Sequence, residues 1–283
     1  MKSQMPRPFK LAIGQMQVVG GDLGTNLKHA SQFVAAAADS GAEVVLLPEA
    51  LDLGWTNPAG RRLAEPVPNG LVCDMYCELA RTHGIYVCAG LTERAGDQVF
   101  NAAVLVSPTG NVLLHHRKLN ELEIGHSVYD QGDRLAVAHT PLATFGLMIC
   151  ADGYVPGLFV SRTLGLMGAD VILSPSAWAV KPGYDNVKQP YGGIWRESYG
   201  AAARDFKMWI AGCSNVGRID GGPWDGHSCI GCSLVVDPQG NPALSASYGE
   251  RAEELLMVDI RPIPRPARGT GWGRIWHEVP AAE

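Results

Sequence analysis

Continuous apolar runs alternate along the chain with stretches whose apolar residues recur at helical spacing. The run Val44 to Leu47 is apolar at every position, which is typical of a strand buried on both faces. Between residues 27 and 38 the apolar positions fall on one face of a helix. Thr25 or Asn26 is expected to cap its start, and Gly41 lies just past its end. This alternation is the pattern of an α/β protein.

The same pattern continues to the end of the sheet-forming part of the chain. Strands are predicted at 10–18, 44–47, 85–91, 99–107, 112–116, 145–150, 171–174, 209–213, 233–237 and 255–260, and helices around 27–38, 71–79, 157–167 and 194–202. Local hairpins together with helical crossovers predict mixed sheets covered by helices. We interpret 1–260 as one domain and the Pro- and Gly-rich stretch 261–283 as a C-terminal extension without regular structure.

Composition excludes several classes of protein. Of the 283 residues, 46% are hydrophobic and 18% are charged, which excludes a disordered chain. The net charge of −5 argues against a nucleic-acid partner. No run approaches the roughly 18 apolar residues of a membrane-spanning helix, so no membrane association is expected. Seven cysteines, an odd number, indicate reduced thiols in a cytoplasmic protein.

Three predicted strands end at reactive side chains. Glu49 follows the run 44–47, Lys118 follows 112–116, and Cys150 follows the apolar stretch that begins at Gly146. In α/β sheets, ligands gather at the carboxyl ends of strands. A cysteine nucleophile needs a group that takes its proton, and a carboxylate beside a lysine meets that need. A helix start after Cys150 is expected to lower the pKa of its thiol.

The order and surroundings of these residues resemble the carbon–nitrogen hydrolase (nitrilase) superfamily over nearly the whole chain. The motifs that carry the resemblance are Ala12-Ile-Gly-Gln15, Leu46-Leu-Pro-Glu-Ala-Leu51, Phe100-Asn-Ala-Ala103, His116-Arg-Lys118, Gly132-Asp133, Gly146-Leu-Met-Ile-Cys-Ala-Asp152 and Gly168-Ala-Asp-Val171. The resemblance implies a four-layer α-β-β-α sandwich that pairs across subunits into a homodimer or a larger even assembly. The extension from Arg261 is expected to cross to the partner, because Trp272 and Trp276 have no helix of their own to bury them.

The resemblance also implies the roles of individual residues. Glu49 is the general base and acid, Lys118 stabilises the oxyanion, and Cys150 is the nucleophile. The backbone N–H of Ala151 completes the oxyanion hole. The reaction passes through a thioester acyl-enzyme that water releases, after ammonia or an amine has left. Neither a metal nor a cofactor is implied.

Two features of the sequence depart from the family pattern. Many members carry a second glutamate after the lysine, and here Glu123 is the predicted residue with Glu121 as the alternative. The nitrile-hydrolysing branch usually has Trp-Glu directly after the cysteine, whereas this chain has Ala151-Asp152. The expected substrate is therefore a small amide or N-carbamoyl compound, with a small nitrile as the alternative.

Further residues are candidates for the substrate pocket or for other chemistry. Trp178 and Ala179 are predicted to contact substrate, because the family often builds its pocket after the strand near Ser174. Tyr154 is a further candidate for the wall of that pocket. Two other functions stay open: a non-catalytic binding domain of the same fold, and a Cys-His hydrolase in which His227 partners the cysteine. The spacing Cys229-Ile-Gly-Cys232 suits a metal, but no second ligand pair accompanies it.

Overall fold

The computed structural model describes residues 7–263. The strands within this range are β1 (Phe9–Gln15), β2 (Val44–Leu46), β3 (Tyr86–Ala95), β4 (Gln98–Val106), β5 (Val112–Arg117), β6 (Val137–His139), β7 (Thr144–Leu147), β8 (Val171–Ser176), β9 (Ala179–Val180), β10 (Trp209–Ser214), β11 (Val216–Arg218), β12 (Ser228–Ile230), β13 (Leu234–Val236), β14 (Pro242–Ser245) and β15 (Glu254–Ile260). The helices are α1 (Leu23–Asp39), α2 (Gly60–Leu63), α3 (Leu71–His83), α4 (Phe159–Met167) and α5 (Gly193–Phe206).

Two six-stranded mixed sheets dominate the fold. The first has the order β15-β1-β2-β3-β4-β5, and the second has the order β14-β13-β10-β8-β7-β6. Strands β1, β2 and β3 are parallel, and the hairpin β3–β4–β5 returns β5 to their direction. In the second sheet β7, β8 and β10 are parallel. The carboxyl ends of β2 and β5 therefore lie at the same edge of the first sheet.

Alternating side chains of β1 explain how the layers pack. Leu11 and Ile13 lie in the core between the two sheets, whereas Ala12 faces the layer of α1 and α3. The core between the sheets continues into the contacts of the second sheet with α4 and α5, where Leu164 and Tyr199 are buried. The predicted α-β-β-α sandwich with mixed sheets is therefore confirmed.

Several predicted boundaries need correction. Asp22, not Thr25 or Asn26, caps α1, because its carboxylate accepts the Thr25 N–H at 3.0 Å. Strand β7 ends at Leu147, so that Cys150 lies beyond the strand in a tight turn. The prediction for the extension 261–283 falls almost wholly outside the described residues. No helix among residues 7–263 is long and apolar enough to cross a membrane.

A buried carboxyl beside the first sheet predicts a pH-dependent stability. Burial raises the pKa of Asp52 from 3.8 to about 6, although its oxygens accept the Thr92 N–H and hydroxyl. The protonated Asp52 therefore contributes fully to stability below about pH 3.8, and this contribution is lost as pH rises through about 6. We compare the free energy of unfolding of Asp52→Asn with that of the wild type, measured with urea. The difference in favour of the variant is expected to grow by on the order of 2 to 3 kcal/mol from pH 4 to pH 8. The exposed turn variant Asp97→Asn is the control; equal pH profiles for wild type and Asp52→Asn would refute the effect.

Candidate active site

Three chain segments bring reactive side chains together at one edge of the sandwich. Glu49 follows β2 and Lys118 follows β5, both from the first sheet, and Cys150 follows β7 of the second sheet. The Glu49 N–H donates to the carbonyl of Ser176, the last residue of β8, at 3.3 Å. The site therefore lies where the strand ends of the two sheets meet.

The backbone beside Glu49 depends on a close approach. A Cβ atom added to Gly90 would lie 2.6 Å from the Cα of Glu49 and 2.6 Å from the carbonyl oxygen of Pro48. Only glycine leaves room for the turn after β2 to lie this close to β3. Gly90 therefore determines how closely the backbone of Glu49, and with it the carboxylate, approaches β3.

The Glu49 carboxylate is buried, and only one of its two oxygens accepts hydrogen bonds from the described residues. Its Oε1 accepts from Lys118 Nζ at 2.7 Å and from Asn101 Nδ2 at 2.6 Å. Its Oε2 is buried without a hydrogen-bond partner among the described residues. An unpaired carboxylate oxygen next to a thiol is an acceptor for a proton. Burial raises the pKa of Glu49 and Lys118 lowers it by less, so the shift is upward and favours proton uptake.

The second glutamate in contact with the lysine is Glu121. Its Oε1 lies 3.1 Å from Lys118 Nζ, and its Oε2 accepts from Asn101 Nδ2 at 3.0 Å. Glu123 is exposed and begins a separate 3-10 turn, Glu123–Ser127. The residue in contact with Lys118 is therefore the alternative, Glu121, and not the predicted Glu123. The two residues differ because the side chain of Glu121 is buried, whereas that of Glu123 is exposed to solvent.

Lys118 is a buried ammonium between two carboxylates. Burial lowers the pKa of Lys118, but the charges of Glu49 and Glu121 raise it, and the net value lies well above the ordinary one. The ammonium therefore stays protonated at neutral pH and is available to stabilise a developing negative charge. The ring of Trp55 lies 5.5 Å from Nζ.

Cys150 begins the 3-10 turn Cys150–Tyr154 in a strained conformation. Its φ of 43° is in the left-handed region, which non-glycine residues occupy at functional sites at a cost of about 1–3 kcal/mol. Ala151 is the second residue of the turn, where N–H groups lack acceptors within the helix. The position of the predicted oxyanion donor thus agrees with this role.

The expected low pKa of the Cys150 thiol is wrong for the free protein. Burial raises this pKa, the negative charge of Glu49 raises it further, and the opposing influence of Lys118 is smaller. The helix-start argument failed because it considered one local dipole and left out burial and the nearby carboxylate. The thiol is therefore neutral at rest and needs a base to ionise it.

Asp152 joins the segment of the nucleophile to the segment of the lysine. Its Oδ2 accepts from His116 Nε2 at 2.8 Å and from the Ile149 N–H at 2.9 Å. Its Oδ1 accepts from the backbone N–H groups of Leu119 and Asn120 at 3.1 and 2.7 Å. These four bonds hold the pKa of Asp152 below its ordinary value in spite of burial. Its carboxylate thus fixes Cys150 relative to Lys118.

A cleft with about 390 Å³ of unfilled space, partly open to solvent, lies above Cys150. The predicted pocket residues Tyr154, Trp178 and Ala179 all line it. Four aromatic side chains that the sequence did not indicate complete the wall: Trp55, Tyr191, Trp195 and Trp224. A concave, largely apolar cleft with a few reactive groups at its base is the usual form of a small-molecule site.

Comparison with known proteins agrees with this geometry. The sequence profile of the family described as "Carbon-nitrogen hydrolase" matches residues 10–262. The chain belongs to this family. It is therefore a carbon–nitrogen hydrolase, as the sequence motifs indicated.

Individual relatives cover most of the chain. A protein named nitrilase from Pyrococcus abyssi is 28% identical over 89% of this chain and 90% of its own length. The deaminated glutathione amidase of Mus musculus is 30% identical over 79% of this chain and 70% of its own. A solved amidase of the nitrilase superfamily from Nesterenkonia AN1 superposes with a TM-score of 0.76 at 22% identity, covering 90% and 93% of the two chains. At this identity the last likeness concerns the fold.

His227 and the pair Cys229 and Cys232 were the other candidates from the sequence of this carbon–nitrogen hydrolase. The ring of His227 stacks on Trp224 at 4.7 Å, and the charges that dominate at Cys150 are those of Glu49 and Lys118. Cys229 and Cys232 are free thiols, and no cluster of three metal-ligating side chains occurs within residues 7–263. The geometry thus gives no support to a Cys-His dyad.

Two polar residues of the site had weak signals in the sequence. Asn101 lies in the motif Phe100-Asn-Ala-Ala103, which marked its position but not its contact with both glutamates. Asp152 ends the motif that begins at Gly146 and stands where the nitrile-hydrolysing branch has Trp-Glu, but neither observation indicated its contacts. A pairing across two segments, such as that of Asp152 with His116, leaves no spacing signal.

Proposed function

We propose that this carbon–nitrogen hydrolase cleaves the C–N bond of a small amide or N-carbamoyl compound through a thioester on Cys150. One observation carries the proposal. The free oxygen of Glu49 and the ammonium of Lys118 both act on a neutral, buried thiol, so a base and an oxyanion donor serve one nucleophile. Among the relatives, an (R)-stereoselective amidase from Pseudomonas is 27% identical over 89% of this chain.

The acylation step follows from this arrangement. Glu49 takes the thiol proton while Sγ of Cys150 attacks the carbonyl carbon. The negative charge that develops on the carbonyl oxygen is stabilised by Lys118 and by the Ala151 N–H. The C–N bond then breaks, and the proton held by Glu49 goes to the leaving nitrogen. Ammonia or an amine departs, and the acyl group remains on sulfur.

The deacylation step uses the same groups in reverse order. Glu49 takes a proton from water, and the hydroxide attacks the thioester carbon. The same oxyanion donors stabilise the second intermediate. The C–S bond breaks, the carboxylic acid leaves, and the proton on Glu49 returns to the thiolate. Glu121 and Asn101 hold Lys118 and Glu49 in place through both steps.

A matched pair of substrates tests the amide assignment against the nitrile alternative. One acyl group is presented as the amide and as the nitrile, and kcat/KM is measured for each. We expect the amide to be the better substrate, because its carbonyl oxygen becomes the anion for which Lys118 and Ala151 are placed. A nitrile develops charge on nitrogen and must gain protons there.

The opposite order of kcat/KM would favour the nitrilase alternative. Absence of turnover with small amides, carbamoyl amines and nitriles alike would favour a non-catalytic binding domain. The variant His227→Ala is the control for the Cys-His alternative. We expect it to retain most of the activity, and a full loss would revive that alternative.

We also propose a cytoplasmic homodimer or larger even assembly, with 261–283 packing on the partner. Phe159 and Leu166, seven residues apart on one face of α4, are 69% and 66% exposed, and Ile194 of α5 is 50% exposed. Large apolar side chains exposed on these two helices favour burial against a second copy. All seven cysteines are free thiols, which suits a reducing compartment. Sedimentation of a stable 30.2 kDa monomer at micromolar concentration would refute the assembly.

A further inference from the structure

The wall of the cleft above Cys150 is aromatic on several sides. Six of the residues that line it are Trp55, Tyr154, Trp178, Tyr191, Trp195 and Trp224. Their rings come from separate segments: the loop after β2, the turn after Cys150, the segment between β8 and α5, α5 itself, and the loop between β11 and β12. The space above Cys150 is therefore lined by rings from five separate parts of the chain.

The rings hold one another in place. Trp178 stacks on Trp195 at 4.6 Å and 18°, and Tyr154 meets Trp195 edge to face at 5.1 Å. The indole N–H of Trp195 donates to the Tyr191 hydroxyl at 3.2 Å. Across the cleft, Trp55 and Trp224 are edge to face at 5.1 Å. The surface is therefore formed before the substrate binds, so little ordering cost falls on binding.

No charged side chain lines the cleft among residues 7–263; the other lining residues are Leu122, Cys150, Ala177 and Ala179. At its base, two carboxylates and one ammonium leave one net negative charge on Glu49, Glu121 and Lys118. A carboxylate on the substrate would find no cation along the wall and a like charge below it. Burying an unpaired charge is costly, and like charges add to that cost.

Resting on the amide hydrolysis proposed above, we propose that the acyl group of the substrate is uncharged and apolar, and that an aromatic acyl group binds best. Planar rings gain offset-stacked and edge-to-face contacts with indole and phenol walls. Amides that carry a carboxylate are rejected by the same cleft.

A substrate series tests this inference. We expect kcat/KM to fall from phenylacetamide to hexanamide, and to be on the order of 10²-fold higher for methyl succinamate than for succinamate. The ester and the acid differ in charge far more than in size. Equal values for that pair, or a preference for succinamate, would overturn the inference. So would a preference for glycinamide, an ammonium compound, over propanamide.

A variant pair at the cleft wall isolates charge from bulk. Ala179→Arg places a cation on the half-buried edge strand β9, and Ala179→Gln adds comparable bulk without charge. We expect the arginine variant alone to narrow the ester-to-acid ratio by about tenfold or more. If both variants narrow it equally, space and not charge sets the preference, and the inference fails.

Binding separates this inference from the proposed function. Titration calorimetry with Cys150→Ala measures affinity without turnover. We expect phenylacetamide to bind more tightly than hexanamide, and succinamate to give no measurable heat at the same concentrations. This order without turnover in the wild type would contradict the hydrolysis and support the specificity. If the wild type turns over amides but succinamate binds as tightly as phenylacetamide, the hydrolysis is supported and the specificity is contradicted.

Discussion

Replacing Cys150 with alanine is expected to abolish hydrolysis and leave the fold intact. The loss of a nucleophile lowers kcat by about 10⁵-fold or more, because the proposed thioester then cannot form. The change removes one atom, and alanine carries a Cβ as cysteine does, so the φ of 43° imposes the same strain. The measurements are amide turnover and thermal unfolding of both proteins.

Mass spectrometry of quenched wild-type reactions locates the intermediate directly. We expect the acyl group on the peptide that contains Cys150. The control is Cys77→Ala, because Cys77 is a partly exposed thiol on α3 and has no place in the site. It should keep full activity. An adduct on any other cysteine, or turnover by Cys150→Ala, contradicts the assignment.

The places of Glu49, Lys118 and Cys150 in the fold were predictable because each follows a strand in a recognisable motif. Glu49 and Lys118 follow β2 and β5, and the carboxyl ends of those strands lie at one edge of the sheet. The two side chains therefore enter the site from the same edge of the first sheet. Glu121 was harder, because a two-residue difference in an irregular segment decides which carboxylate turns inward.

The aromatic wall was beyond the reach of sequence patterns. Trp55, Trp195 and Trp224 are distant in sequence, and an isolated tryptophan is usually a core residue. Only the three-dimensional arrangement places them around one cleft. The pKa of the Cys150 thiol was missed for the same reason, since burial and the charge of Glu49 depend on the assembled fold.

Glu49→Gln is expected to lower kcat by about 10²- to 10⁴-fold, the range that a positioned general base contributes. The amide oxygen of glutamine can still accept from Lys118 and Asn101, so the local geometry is kept. The proton acceptor is lost. The same substitution removes a negative charge that raises the pKa of the Cys150 thiol. We therefore expect this pKa to fall in the variant.

Glu49→Gln is thus expected to lower kcat and at the same time to make the Cys150 thiol easier to ionise. A general loss of structure would not produce this combination. Alkylation by iodoacetamide, followed against pH, reports the thiolate. Its midpoint should lie at lower pH in Glu49→Gln than in the wild type, although the variant turns over amides far more slowly. Glu121→Gln is the matched control, because Glu121 contacts the same lysine and asparagine. If Glu49 acted only through the charge of Lys118, both variants would lose activity alike. A larger loss for Glu49→Gln, with a more reactive thiol, is the result that a proton-transferring base requires.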